Sequence, residues 1–581
     1  MNQDAGGEPL LPLHRTGVRP FTLAQAYRRA KLLVERSGLL PAVEAHLHAA
    51  TGAPREFTAR ALLVGLATHG LRQGEMHLTK VLHTLGELPP SARRELGLPH
   101  DVDTYRMLWH AFTRLVAALQ AGALAIPHNH PEADTATGEV LPCPDDCPHQ
   151  PITLSTFTGR LLRASLPESL QLTGAVAIDS TDYETWARRR SWARTPDVDP
   201  DHLPADAEER REAKKAKPPP NQLGWPRTGH DGRAQHTLDP DAREGYRSGS
   251  NGARGGVFCG YDLHLTVNAR ALGGPEVPFA FTGMHLPPAG SHKGDAGIAL
   301  IDQVRAHQPD LAEVIADRGY SYCTPERWAY PVRARGIEPV IDLHTNQRGT
   351  HPGPIPGTII LDGALFTDAL PTTWRDLPGF PIGMPTDKKQ ALRARYDARA
   401  AYAFTPHSRP DRDGYQRLKG PARAGKLRCP NHPPSMRLPH TRPTTTCAPG
   451  TDCACGKTLT LPPNTMPWTR QRALWGTTAW AADYGRRAAI ESGNAEAKTH
   501  RLHLDRGFTR VMGTTKNRVL IAFALAGLNH VLLRDWHAKR RRPDPWATHL
   551  DEPQPAPATA KRTRARRRTA TLTTLAGTPP S

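Results

Sequence analysis

The period of the apolar positions changes along this chain, and with it the predicted elements. Near the start they recur every three to four residues. Thr22-Leu23-Ala24-Gln25 has the form of a capping box, and Ala26–Arg36 continues as a helix closed by Gly38. Leu62, Leu63 and Leu66 mark a helix over Phe57–Leu71, and Met76–Leu85 and Thr104–Leu119 follow the same spacing. Residues 21–122 are thus predicted to be an all-helical module. Its Arg and Lys residues allow a DNA-binding role beside the plainer role of a helical cap.

The pattern then shortens. Val176-Ala177-Ile178 is a buried-strand run that ends in Asp179. Alternation at Tyr261, Leu263, Leu265 and Val267 predicts a strand over Gly256–Ala271, and Val277–Met284 a third. Ile298, Leu300, Ile301 and Val304 predict an amphipathic helix over Asp295–His307. Leu311–Ala316 is again a strand with an acid, Asp317, at its carboxyl end. A helix over Pro325–Gly336 and a strand over Ile337–Ile341 complete the series. Strands and helices in this order predict an α/β fold with a mixed sheet.

Two stretches break the rhythm. Residues 187–256 are charged and rich in Pro and Gly, and read as a long mobile insertion. Residues 343–470 are irregular with short strands such as Thr358–Leu361, and read as an inserted subdomain. Helices resume at 471–500 and 516–538. The expected organisation is a helical N-terminal domain (1–122), a linker (123–172), a first part of the core (173–342), the inserted subdomain (343–470), a second part of the core (471–542) and a disordered basic tail (543–581).

Charge narrows the partner. Lys and Arg number 75 against 56 Asp and Glu, a net charge of +19, which favours a polyanion and nucleic acid first. The apolar run Val519–Leu533 is interrupted by Asn529 and His530 and falls short of the roughly 20 apolar residues a bilayer span needs. With no apolar secretory segment near the start, the cytoplasm is the expected compartment and no membrane is expected. The 8 cysteines are uneven, with four crowded between 429 and 455. Cys429, His432, Cys447, Cys453 and Cys455 are candidates for a structural Zn²⁺ site, against a loop with free thiols. Cys143, Cys147 and His149 pose the same choice in the linker.

Chemistry concentrates in one helical stretch, 483–498. At about 100° per residue, Tyr484, Arg487, Glu491 and Lys498 fall within about 60° of one face. That face carries a carboxylate, two cations and a phenol, so it addresses something polar. Asp179 and Asp317, at the ends of neighbouring strands, can meet Glu491 laid across them by this helix. Three clustered carboxylates are costly without cations. Two Mg²⁺ ions would neutralise them and leave positions open for phosphate oxygens.

Ile178-Asp179-Ser180-Thr181, Ala316-Asp317-Arg318-Gly319-Tyr320 and Tyr484-x2-Arg487-x3-Glu491-x6-Lys498 resemble the three catalytic blocks of bacterial insertion-sequence DDE transposases. The last matches the Y-R-E-K signature of one subgroup at all its positions. The resemblance implies a ribonuclease H-like fold with an insertion ahead of the Glu helix. It implies Asp179, Asp317 and Glu491 as catalytic Mg²⁺ ligands, and Tyr484, Arg487 and Lys498 as contacts to DNA phosphates. It further implies binding of double-stranded DNA, at terminal inverted repeats and at a target, by a homodimer associated with the nucleoid. A repurposed DNA-binding protein and a nuclease without strand transfer are the alternatives.

Overall fold

A computed structural model describes residues 20–47, 57–98, 105–125, 147, 150–190, 225–247, 256–381, 383–467 and 470–554. At its centre lies a six-stranded mixed sheet in the order β4-β5-β1-β7-β8, with β6 also paired to β5. The strands are β1 (Ala175–Glu184), β4 (Arg243–Arg247), β5 (Gly256–Asn268), β6 (Phe281–His285), β7 (Glu313–Ala316) and β8 (Glu338–Ile341). β2 (Arg227–Thr228) and β3 (Ala234–Gln235) form a separate small hairpin. β5 runs antiparallel to β1, β4 and β6, while β1, β7 and β8 run parallel.

The period of two along a strand assigns the faces. Val176, Ile178, Val314 and Ala316 pack with Leu300, Ile301 and Val304 of the helix Lys293–Arg305. Ala175, Ala177 and Ile315 belong to the other apolar cluster, with Ile490 and Ala497. Continuing the alternation by one residue turns Asp179 and Asp317 toward this second face, the one covered by the stretch that carries Glu491.

The same cluster extends to the N-terminal helices, so the described residues of that region share a core with the sheet. The contact is made by the helices Ala59–Leu71 and Thr514–Lys539. They cross at glycines: a Cβ on Gly527 would sit 2.5 Å from the Gly70 carbonyl carbon, and one on Gly70 2.6 Å from the Phe523 oxygen. The helix Thr514–Lys539 is longer than the apolar run read from the sequence, and by length and composition it could cross a membrane. Here 94% of its most apolar window is buried inside the protein, and Asn529 bonds Phe281 N–H (2.7 Å), Phe281 O (2.9 Å) and Ser165 Oγ (2.8 Å).

Three expectations are corrected. Part of the insertion 187–256 is ordered, because β4 joins the sheet and Asp239 anchors what precedes it. That buried carboxylate accepts from Tyr261 Oη (2.8 Å), Thr185 Oγ1 (2.6 Å) and Gly513 N (2.9 Å). The linker 123–172 contains the helix Leu154–Ala164, whose Phe157, Leu161 and Leu162 are core residues. The chain beyond Pro543 folds back as the helix Pro545–His549, with Trp546 buried. There Arg29 pairs with Asp544 and Glu552, both at 2.8 Å. In the first and third cases buried polar partners supply the order, and an apolar pattern does not register them. The basic run at 561–568 lies outside the described residues, as do Cys143 and His149.

Between β8 and the second helical region stand two small antiparallel sheets. One pairs Thr350–Pro352, Thr358–Leu361 and Ala364–Thr367; the other pairs Thr405–Pro406, Gln416–Lys419 and Thr458–Leu461.

Candidate active site

The parallel pairing of β1 with β7 sets Ile178 opposite Ala316. The next residue on each chain is an aspartate, so Asp179 and Asp317 stand side by side at the carboxyl ends of adjacent strands. Asp317 caps the short helix Arg318–Ser321 and accepts from Gly319 N–H at 3.0 Å. Lys293, at the start of its helix, donates to Asp317 Oδ1 (3.1 Å) and Oδ2 (3.3 Å), and its Nζ lies 4.5 Å from the Tyr320 ring centre. Gly319 leaves room for this approach: a Cβ there would lie 2.7 Å from Lys293 Nζ. Asp179 Oδ1 accepts from Ser180 N–H at 2.8 Å. Burial, and next the charge of Asp317, push the Asp179 carboxyl above its ordinary range, while Arg487 and Lys293 oppose that shift.

The stretch expected as one regular helix is a relay of forms. An α-helix (Thr478–Tyr484) passes into a 3₁₀ turn (Gly485–Arg487), a second α-helix (Ala488–Ala495) and a π turn (Glu496–His500). π turns are rare and concentrate at functional sites. Arg487 Nη2 donates to Asp179 Oδ2 at 2.9 Å, and its Nη1 to Glu491 Oε1 at 2.5 Å. Asn494 Nδ2 reaches the same Asp179 oxygen at 3.4 Å. Burial opposes the charge of Arg487, but Tyr484, Asp179, Asp317 and Glu491 together raise its pKa.

Lys498 turns to a different acid. Its Nζ donates to Asp182 O (2.6 Å) and pairs with Asp182 Oδ1 (3.1 Å). Asp182 faces Asp262 across β1 and β5, and burial pushes the Asp262 carboxyl up to about 6. Tyr484 stacks on Trp480 with ring centres 5.1 Å apart and planes 8° apart, so one face of the phenol is already covered. Burial raises its pKa.

The structure therefore brings Asp179, Asp317, Arg487 and Glu491 into one neighbourhood and sets Lys498 one step along β1. The three acids do not close into a tight ligand set. Among the described residues, the set of three or more acid, thiol or imidazole side chains whose ligand atoms all lie within 4.8 Å of one another is Cys429, Cys447, Cys453 and Cys455. Glu491 leans outward, its side chain 62% exposed against 15% for Asp179. His432 lies outside the cysteine set. Sequence reasoning missed Lys293, Asn494 and Asp182. Asp182 had a faint signal, a second acid on the same strand three residues after Asp179; Lys293 had none.

Residues 223–376 match a family model described as the transposase DDE domain.

The match supports a DDE transposase family, and it indicates transposase activity, with cutting of nucleic acid and DNA as the partner. The matched stretch holds β4 to β8 and Asp317, while β1 with Asp179 and the helix with Glu491 lie on either side of it. No curated protein matches the chain.

Proposed function

We propose that this chain is an insertion-sequence DDE transposase that binds the ends of its element, cleaves phosphodiesters and joins the freed 3′ ends to new DNA. The observation that carries this reading is the register of β1 and β7. It places two aspartates together at the carboxyl edge of a mixed sheet, on the face that the Glu491 helix covers. The sheet order fits a ribonuclease H-like core, and the two small sheets lie where such a core takes an insertion. The net charge of +19 suits a long duplex.

The donor set fits Mg²⁺. All three candidate ligands are carboxylates, the hard oxygen donors this ion prefers. Burial, and after it the neighbouring charge of Asp317, hold the Asp179 carboxyl above its ordinary range, a cost that added positive charge would relieve. Asn494 Oδ1 and Arg487 Nε are buried beside it with no hydrogen-bond partner among the described residues. Asp179, Asp317 and Glu491 would hold the ions, which when bound activate a water or hydroxyl and stabilise the leaving oxygen.

The remaining work belongs to the chain's own side chains. Lys293 and the Gly319 N–H hold Asp317 in one orientation, and the Ser180 N–H does so for Asp179. Arg487 neutralises Asp179 and tethers Glu491. Its paired N–H groups would also suit a DNA phosphate brought to this edge of the sheet. Lys498 supplies a second phosphate contact, and Tyr484 offers its hydroxyl while Trp480 holds the ring. Two ends must be held together for transfer, so a homodimer on DNA, in the cytoplasm at the nucleoid, completes the reading.

The test is cleavage of a duplex carrying the element's end. Asp179→Asn, Asp317→Asn and Glu491→Gln are each expected to abolish cutting while end binding survives. Full cutting by any variant removes that residue from the mechanism. Cut ends that never join a target plasmid would leave a nuclease, and binding without any cutting would leave a DNA-binding protein.

A further inference from the structure

The four cysteines between 429 and 455 are free thiols drawn together from three separate turns of chain. Cys429 precedes the short helix Pro433–Met436, Cys447 follows a loop, and Cys453 and Cys455 lead into the strand Thr458–Leu461. The sulfur positions are informative. A zinc ion with Zn–S bonds of about 2.3 Å at the centre of a tetrahedron sets neighbouring sulfurs about 3.8 Å apart. Cys429 Sγ lies 3.7 Å from Cys453 Sγ, and Cys447 Sγ lies 3.9 Å from Cys455 Sγ. These are opposite edges of one tetrahedron, and all four sulfurs lie within 4.8 Å of one another. A disulfide would need sulfurs at about 2.0 Å.

We propose that Cys429, Cys447, Cys453 and Cys455 bind one structural zinc ion, independently of the reaction proposed above. Four thiolates fill the coordination shell and leave no position for a substrate, which marks a structural site. The surroundings supply the outer hydrogen bonds that such sites use: Thr367 Oγ1 lies 3.2 Å from Cys455 Sγ, and Asn431 Nδ2 3.7 Å from Cys453 Sγ. His432, a candidate ligand by spacing, packs its ring beside the knuckle, where a Cβ on Gly456 would sit 2.7 Å from its Cδ2.

The site has a clear mechanical task. The apolar clusters around the two small sheets are small, and Cys429 and Cys455 are themselves buried members of one of them. Little apolar area leaves such a unit marginal without a staple. The metal ties the loop at 429 to the strand at 458. The strand pair Thr358–Thr367 leans on the same knuckle, where Gly357 comes so close that a Cβ would lie 2.9 Å from Ala454 N.

The test uses the full-length protein purified without chelator and measures metal by mass spectrometry. About one zinc per chain is expected, retained in His432→Ala and lost in Cys429→Ser with Cys455→Ser. Should that double variant fail to fold, modification of wild-type thiols with a methanethiosulfonate reagent should still release the zinc to a chromogenic chelator. The Co²⁺-substituted protein should show the visible absorption of a tetrahedral tetrathiolate site. A zinc-free preparation in which these thiols are reactive, or are paired as disulfides, would overturn the proposal. Zinc lost in His432→Ala would overturn the ligand set.

Discussion

Arg487 binds Asp179 from 308 positions away in sequence, with Nη2 2.9 Å from Oδ2. The other arm of the same guanidinium holds Glu491. One cation thus spans the two outer acids of the proposed catalytic trio.

The two halves of that bridge differ in weight. Arg487 and Asp179 are 16% and 15% exposed, whereas Glu491 is 62% exposed and its pairing is largely screened by solvent. Arg487→Ala should therefore destabilise mainly through the stranded Asp179, by about 3 kcal/mol without Mg²⁺. Added Mg²⁺ should restore part of the loss, read as a larger rise in melting temperature than in wild type. An equal rise in both proteins would argue that Arg487 and the cation do not share the site.

Asp179 makes stability depend on pH in a definite direction. Its native pKa is raised, so the folded protein holds this proton more tightly than the unfolded chain. The contribution is whole below the unfolded value and is lost as pH rises through the raised native one. At neutral pH the charged carboxylate is a cost, and Asp179→Asn should melt higher than wild type, with the gap closing in acid. Stabilisation by Mg²⁺ should fade in wild type over the same window. A variant that melts lower at pH 7 would contradict the assignment.

If Arg487 and Lys498 take up phosphates at the cleaved end, each alanine substitution should weaken end binding and flatten its salt dependence. The slope of log K against log salt should fall by about 0.9 per contact removed. Binding isotherms across a salt series measure it. Unchanged slopes in both variants would leave these cations as local counter-ions for Asp179 and Asp182.

Gly527 is needed by its neighbour more than by its own helix. Alanine there gains up to about 1 kcal/mol in helix propensity, but its Cβ would press on Gly70 backbone at 2.5 Å. Overpacking of about 1–3 kcal/mol should win, because a backbone contact does not yield like a side-chain tip. Denaturant unfolding should show a net loss; a gain would mean that the two helices can part at little cost.

The closing residues test a buried charge node. Arg29 is 2% exposed and lies against Asp544 and Glu552, each at 0%. Arg29→Ala strands the buried Asp544 and leaves Glu552 with only the half-exposed Arg28 at 3.5 Å, and should cost about 3–5 kcal/mol. Truncation after residue 543 should do at least as much harm as Arg29→Ala, since it removes the buried Trp546 from against Leu533 and His530 as well as both acids.

How much of this was readable beforehand follows from the range of the forces involved. Helices and strands of the core are local patterns, and the alternation at Tyr261, Leu263, Leu265 and Val267 or the capping box at Thr22 announced them directly. The same alternation carries Asp179 and Asp317 to the ends of strands. Charge balance and crowded cysteines are likewise properties of composition. What linear order cannot contain is which distant groups neutralise one another. Lys293 on Asp317, Asn494 on Asp179 and Asp239 beneath Tyr261 join segments whose encounter depends on the packed sheet. The irregular path through 485–500 is also a tertiary outcome, since a 3₁₀ turn and a π turn adjust a helix to a surface its own residues do not encode. His432 shows the limit most plainly. Its spacing suited a metal, and only the folded loops decided that the sulfurs alone converge, because ligation needs a shared point in space and spacing fixes a distance along the chain.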